Sequence, residues 1–322
     1  MAKIQVAVLR GGPSSEFEVS LKTGESILKH LSSEKYHARD ILIDKKGIWH
    51  ARGIPIEPRQ ALEHADVVVN AMHGEYGEDG KVQQLLERFG IPYTGSGPLA
   101  SAIGMNKLLA KQHLLKEGIK TPRHIVLNVR EDLSQKLMEV FRTFPQPSVI
   151  KPINKGSSVG VTVARDYHEF VEGVQSAFTH SSDILIEEFI RGREATTGVV
   201  ENFRNEPVYA LLPVEIIPPQ KHGFFSYDAK YSGETQELCP GNFSPQEKAE
   251  LIRLAKEVHR ILNLRHYSRS DFIVSPRGIY FLEVNTLPGL TSESLFPRSL
   301  NAVGSSLSEF LDHIIGLAMS RR

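Results

Sequence analysis

Short apolar runs alternate along the chain with stretches of helical period, and glycine-rich polar turns separate them. Residues 4–9 are almost continuously apolar, which predicts a strand buried on both faces of a parallel sheet. Residues 18–31 carry the period of the helix that follows, reached through the turn GGPSSEF. Residues 67–71 predict a second buried strand, leading into the polar loop 72–80 and a helix closed by Gly90. The segment 91–98 holds two glycines, two prolines, a threonine and a serine, and marks a domain edge. Beyond it the pattern predicts a helix over 107–117 ended by Gly118. Strands are predicted at 148–151, 161–164, 184–190, from Glu194 through Val200, and at 208–217. Ser244 and Glu247, with Pro245 between them, form a capping box that opens a helix to about Leu262. The apolar period of 307–319 predicts a last, structural helix.

The most informative stretch is 269–290. Ser275-Pro276-Arg277-Gly278 reads as a three-residue hairpin loop that sets Ser275 opposite Ile279. Asp271 then lies opposite Glu283, and Arg269 opposite Asn285. Strand alternation gives these four residues one face and Phe272, Val274, Tyr280, Leu282 and Val284 the core face. Two facing carboxylates repel each other unless a cation lies between them. With the carboxamide they make a hard-oxygen set suited to Mg²⁺.

Composition narrows the class. The chain has 322 residues, enough for two or three domains, with 40% hydrophobic and 24% charged residues. Lys+Arg and Asp+Glu are both 38, so net charge points to neither nucleic acid nor an anionic membrane. The single cysteine, Cys239, excludes an intrachain disulfide and fits a reducing compartment. The opening MAKIQVAVL lacks a small-residue cleavage site and reads as a strand, and no apolar run is of spanning length. A cytoplasmic protein is expected.

Phosphate chemistry is suggested at two places. The Gly11-Gly12 turn can present backbone N–H groups to an anion, but lacks the G-x-G-x-x-G spacing of a dinucleotide site. Gly156-Ser157-Ser158-Val159-Gly160 allows close backbone approach to phosphate oxygens, and the strand-borne Lys151 can reach the same group. There is no G-x-x-x-x-G-K-[ST] and no protein-kinase catalytic loop. His73, in a polar loop after a buried strand, is a site candidate; Glu187, Glu188 and Glu194 sit at strand ends. Residues 223–235, GFFSYDAKYSGET, are longer than a connector requires and predict a lid. Together these features suit an enzyme that uses a nucleotide and a metal.

The motifs GGPSSEFEVSLKTG, HGEYGEDG, GIPYTGSG, MNK, KPINKGSSVGV, IEEFIRGRE, DAKY, RSDF and LEVNTLPGLTSESL run nearly end to end. In them the chain resembles the D-alanine–D-alanine ligase family of the ATP-grasp superfamily. The resemblance implies an α/β fold of three domains: an N-terminal open parallel-sheet domain over 1–98, then 99–183 and 184–322, which enclose ATP. It implies ATP-dependent joining of two D-alanine molecules through D-alanyl phosphate, releasing ADP and phosphate, for peptidoglycan precursors. It also implies two Mg²⁺ ions, with Mn²⁺ able to substitute, and a homodimer.

Carried onto this sequence, the resemblance places Lys107, Lys151 and Lys230 on the ATP phosphates, with Ser157 and Ser158 closing over them. Glu187 and Glu194 hold the adenosine, Glu188 through Ile190 supply backbone contacts to adenine, and Leu282 belongs to the same cofactor set. Asp271, Glu283 and Asn285 bind the metal. Glu18 holds the ammonium of the first D-alanine, with His73 nearby. Arg269 and Gly289 stabilise the oxyanion, and Ser294 and Leu295 position the second carboxylate. Tyr231, tied to Glu18 and Ser157, closes the lid and favours D-alanine over D-lactate as second substrate. D-Ala-D-lactate or D-Ala-D-serine formation is the rival activity. Departures from the family pattern are Ser268 before Arg269, the polar stretch Glu194-Ala195-Thr196-Thr197-Gly198, and Arg10 before Gly11.

Overall fold

The computed structural model describes residues 2–218 and 235–320, which form three sheets. In the first, β1 (Ile4–Gly11) lies between β2 (Tyr36–Ile43) and β5 (Val67–Asn70), parallel to both. Two short antiparallel strands, β3 (Trp49–Ala51) and β4 (Ile54–Pro55), extend the β2 edge. The apolar run of β1 is explained by burial on both faces. Val6 and Val8 enter one core, and Ala7 and Leu9 the other. Helix α1 (Phe17–His30) covers the Val6–Val8 face. The helix Leu307–Met319 packs on that same face, where Phe310, Leu311, Ile314 and Ile315 join the cluster of Val6, Val8, Val67 and Val69.

The second sheet contains β6 (His124–Asn128), β7 (Ser148–Pro152), β8 (Thr162–Ala164) and β9 (Asp183–Glu188), in the order β6-β9-β7-β8. A domain break at residue 184 would cut β9 from both of its partners. β9 bonds β6 along one edge and β7 along the other, so residues 184–188 continue the second sheet.

The third sheet is built on β10 (Arg193–Phe203). The strand expected over 208–217 is two strands, β11 (Glu206–Ala210) and β12 (Val214–Ile217), which pair with successive parts of β10. Pro213 has no N–H to give a ladder, and the chain leaves the sheet there. After β13 (Gln236–Leu238), the capping box of Ser244 and Glu247 starts the helix Pro245–Ile261.

β14 (Tyr267–Ser275) and β15 (Gly278–Asn285) complete this sheet. Ser275 pairs with Gly278 and not with Ile279, so the loop is the two residues Pro276 and Arg277, and Gly278 takes φ +118°. A register shift between Asp271 and Phe272 then restores the expected facing, Asp271 to Glu283 and Arg269 to Asn285. Leu282 is the extra residue of this bulge. Consequently Phe281 fills the core position expected of Leu282. Tyr280 turns outward beneath Lys120 and Arg277, and Leu282 joins the ligand face. Among the described residues no helix is long and apolar enough to cross a membrane.

Candidate active site

Two adjoining cavities lie beside the β14–β15 ligand face, and Arg269 and Leu295 line both. The first is walled by the second and third sheets. It gathers Lys107, Lys151, Ser158, Glu187, Glu188, Ile190, Glu194, Leu282, Asp271 and Glu283. Lys107 follows the N-cap Asn106, whose side chain accepts the Leu109 N–H at 3.0 Å, so the helix Lys107–Lys116 begins at the cavity wall. Its Nζ lies 3.0 Å from Glu283 Oε2.

Glu187 is fully buried between two lysines, with Lys151 Nζ 2.9 Å from one carboxylate oxygen and Lys111 Nζ 3.1 Å from the other. Burial opposes its ionisation, but the two ammonium groups outweigh that and hold its pKa below the usual carboxylate range. Lys111 is pulled down to about 8 by burial, against the attraction of Glu187. The Glu187 carboxylate also lines the first cavity, and its oxygens keep acceptor capacity beyond these two ammonium contacts. An acceptor of that kind in a cavity wall suits the amino group of a base.

On the ligand face, Arg269 donates to both Asp271 oxygens at 3.2 Å, and Asn285 Nδ2 reaches Asp271 Oδ2 at 3.4 Å. Thr196 also donates to Asp271. The facing carboxylates are thus offset by Arg269 and Lys107. Two carboxylates and a carboxamide are a small, hard set. It fits a cation that draws its other ligands from water or phosphate, rather than one caged by protein.

The second cavity is lined by Glu16, His73, Glu78, Ser157, Arg269, Asn285, Gly289, Ser294 and Leu295. The sequence places Glu18 at this substrate position; the structure puts Glu16 there. Glu18, in the first turn of α1, points to solvent with its side chain 72% exposed and lies 3.6 Å from Lys45. Glu16 precedes that turn and accepts the Ser157 hydroxyl at 2.6 Å. His73 is buried, with Nε2 2.8 Å from Thr23 Oγ1. Glu78 was missed by sequence reasoning although HGEYGEDG contains it. It is buried, and its oxygens accept the Gly74 N–H at 2.8 Å and the Leu287 N–H at 3.2 Å. Burial and the nearby Glu16 push its pKa up, while those N–H groups and Arg269 oppose the shift.

Ser294 holds the N-cap position of the helix Leu295–Ala302 without a side-chain capping bond, and its Oγ lies 2.8 Å from Thr291 Oγ1. A Cβ on Gly289 would sit 2.9 Å from Ser294 Oγ, so the Pro288-Gly289 turn approaches this cap closely because it lacks one. The free N–H groups of that first turn can receive a carboxylate. Lys111, also missed by sequence reasoning, reads only as one more polar position in a helix. Lys230 and Tyr231, with the lid segment 223–234, lie outside the described residues.

A cleft between two sheets that carries buried lysines and a paired-carboxylate hairpin, and opens beside a wider cavity lined by carboxylates and hydroxyls, defines a ligase of ATP-grasp architecture. Residues 113–316 match the family model for the D-ala D-ala ligase C-terminus, and residues 5–56 and 50–96 match that for the N-terminus. The D-alanine--D-alanine ligase of Syntrophobacter fumaroxidans is 38% identical over 322 residues, covering 98% of each chain. Among solved structures, the VanG D-Ala:D-Ser ligase from Enterococcus faecalis superposes with a TM-score of 0.85 at 28% identity, covering 98% of this chain and 100% of that one. The D-alanine-D-alanine ligase from Coxiella burnetii gives 0.84 at 26% identity, covering 100% of this chain and 95% of that one. The chain belongs to the D-alanine–D-alanine ligase family.

Proposed function

We propose that this chain joins two D-alanine molecules into D-alanyl-D-alanine, using ATP and releasing ADP and phosphate, for peptidoglycan precursor synthesis. The observation that carries the reading is the shared wall of the two cavities. Arg269 faces both the nucleotide cleft and the amino-acid site, so a phosphoryl group can pass from one to a carboxylate in the other.

A carboxylate is a poor electrophile until it becomes an acyl phosphate. Lys107 and Lys151 bind the ATP phosphates, while the Ser157–Ser158 loop covers them. The Glu187 carboxylate accepts the adenine amino group, Glu188 through Ile190 and Leu282 frame the base, and Glu194 takes the ribose hydroxyls. Asp271, Glu283 and Asn285 would hold Mg²⁺, which when bound offsets charge on the transferring phosphoryl group. Glu16 holds the first substrate's ammonium, beside His73. Arg269 and the Gly289 backbone stabilise the oxyanion formed when the second amine attacks. Ser294 and the helix start at Leu295 receive the second carboxylate. ATP use and the single cysteine support a cytoplasmic setting, and we take the assembly to be a homodimer.

The match to the VanG D-Ala:D-Ser ligase favours D-serine as the second reading for the attacking amine. The test is phosphate release from ATP and Mg²⁺ with D-alanine, L-alanine, or D-alanine plus D-serine or D-lactate, with products identified by mass. D-Ala-D-Ala from D-alanine alone is expected. A mixed product that outcompetes it would replace the proposed second substrate, and no ligation at all would overturn the activity.

A further inference from the structure

Lys155 stands at the head of the serine loop on the wall of the first cavity, and its ammonium pairs with Glu75 in the 72–80 loop. Its carbonyl accepts from Lys107 Nζ at 2.5 Å. The second oxygen of Glu75 accepts the Ser14 hydroxyl at 3.2 Å, and Ser14 Oγ in turn accepts the Glu16 N–H at 3.0 Å. One residue thus ties a phosphate-binding lysine to two loops that follow strands of the first sheet.

The loop needs such ties. Ser157 and Ser158 both adopt positive φ, 50° and 58°, where residues with a side chain rarely rest unless their surroundings hold them. The Ser157–Glu16 hydrogen bond is one restraint and belongs to the substrate site. The Lys155–Glu75 pair is a second restraint that makes no use of the substrate, for Glu75 lines neither cavity. Its side chains are 24% and 26% exposed, so the pair is partly shielded from water yet open to screening by salt.

We infer that Lys155 and Glu75 are positioning residues for ligation: their ion pair latches loop 155–160 onto the first unit and keeps water from the acyl phosphate. The inference rests on the ligase reading above. With the latch released, water attacks the acyl carbon and the bond from that carbon to the phosphate oxygen breaks. Free D-alanine and phosphate leave, and the water's protons pass to solvent and product. ATP is then spent without a dipeptide.

The measurement is phosphate released per dipeptide formed, in the full-length enzyme with ATP, Mg²⁺ and D-alanine. Wild type is expected near one phosphate per dipeptide at low salt, with the ratio rising as KCl is added. Glu75→Gln and Lys155→Met are each expected to raise the ratio several-fold and to raise KM for ATP more than they lower kcat. The exchanged pair Glu75→Lys with Lys155→Glu should bring the ratio back toward one. Single variants that keep a ratio of one, whether or not their melting temperature falls, would overturn the latch. So would an exchanged pair that fails to restore coupling, or a wild-type ratio indifferent to salt. A wild-type enzyme that forms no dipeptide would instead defeat the ligase reading itself, so the two failures are distinct.

Discussion

Ser157 donates a 2.6 Å hydrogen bond to Glu16, a residue 141 positions earlier in the chain. The bond joins the serine loop beside the first cavity to the wall of the second, and gives the two glutamates of GGPSSEFE different fates. Glu16→Gln is expected to lower kcat/KM for D-alanine by about 100-fold, or about 3 kcal/mol, because the charged acceptor proposed for the first substrate's ammonium is lost. Glu18→Gln should stay within about twofold, as expected for an exposed surface charge. Steady-state kinetics of both variants decide this, and equal losses would return the role to Glu18.

Lys111 gives a pH signature. Burial pulls its pKa down to about 8 in the fold, against 10.5 for an ordinary lysine. Between those values the unfolded chain binds more protons than the folded one, so this residue's contribution to stability rises with pH across that window. Linkage puts the full span on the order of 3 kcal/mol. Unfolding free energies of wild type and Lys111→Met, measured from pH 7.5 to 10.5, should diverge in favour of wild type as pH rises. A constant gap would mean that Lys111 titrates alike in both states.

Glu283→Gln removes one facing carboxylate while Phe281 and Val284 keep their places in the core. The variant is expected to need about ten times more Mg²⁺ for half-maximal activity, since one of two charged ligands becomes neutral. Its melting temperature should change little. Wild-type activity at limiting Mg²⁺ would remove Glu283 from the metal set.

Gly198 lies on β10 where Phe296 and Leu211 crowd it; an added Cβ would meet both at 2.9 Å. Gly198→Ala should therefore destabilise the fold by about 1–3 kcal/mol through overpacking. Denaturant titration checks it, and an unchanged midpoint would show that these side chains relax without cost.

Much of this was legible in local pattern. The buried strands, the capping box at Ser244 and the last helix follow from period and capping residues alone. The hairpin is more instructive. The facing of Asp271 and Glu283 was correctly read from a wrong loop, because the shift beside Phe272 compensates for the tighter turn. That bulge depends on how Phe281 packs, which no local rule reports, and so Leu282 and Tyr280 were assigned to the wrong face. Glu18 was misplaced because its role was carried over from the resemblance, and GGPSSEFE holds two glutamates whose facing no motif reports. Starting at Phe17, α1 turns Glu18 outward and leaves Glu16 on the chain entering it. β9 could not be allotted to a sheet from its own residues, since an apolar strand does not name its neighbours.

The packing of the helix Leu307–Met319 against Val6, Val8, Val67 and Val69 has a bearing on synthesis. The first sheet is made early, but the part of its Val6–Val8 face that α1 leaves uncovered stays open until residues 307–319 have left the ribosome. Completion of that core thus waits on a helix made long after the strands it covers. A chain stalled before that helix would expose a valine-rich surface, the kind of surface that chaperones bind.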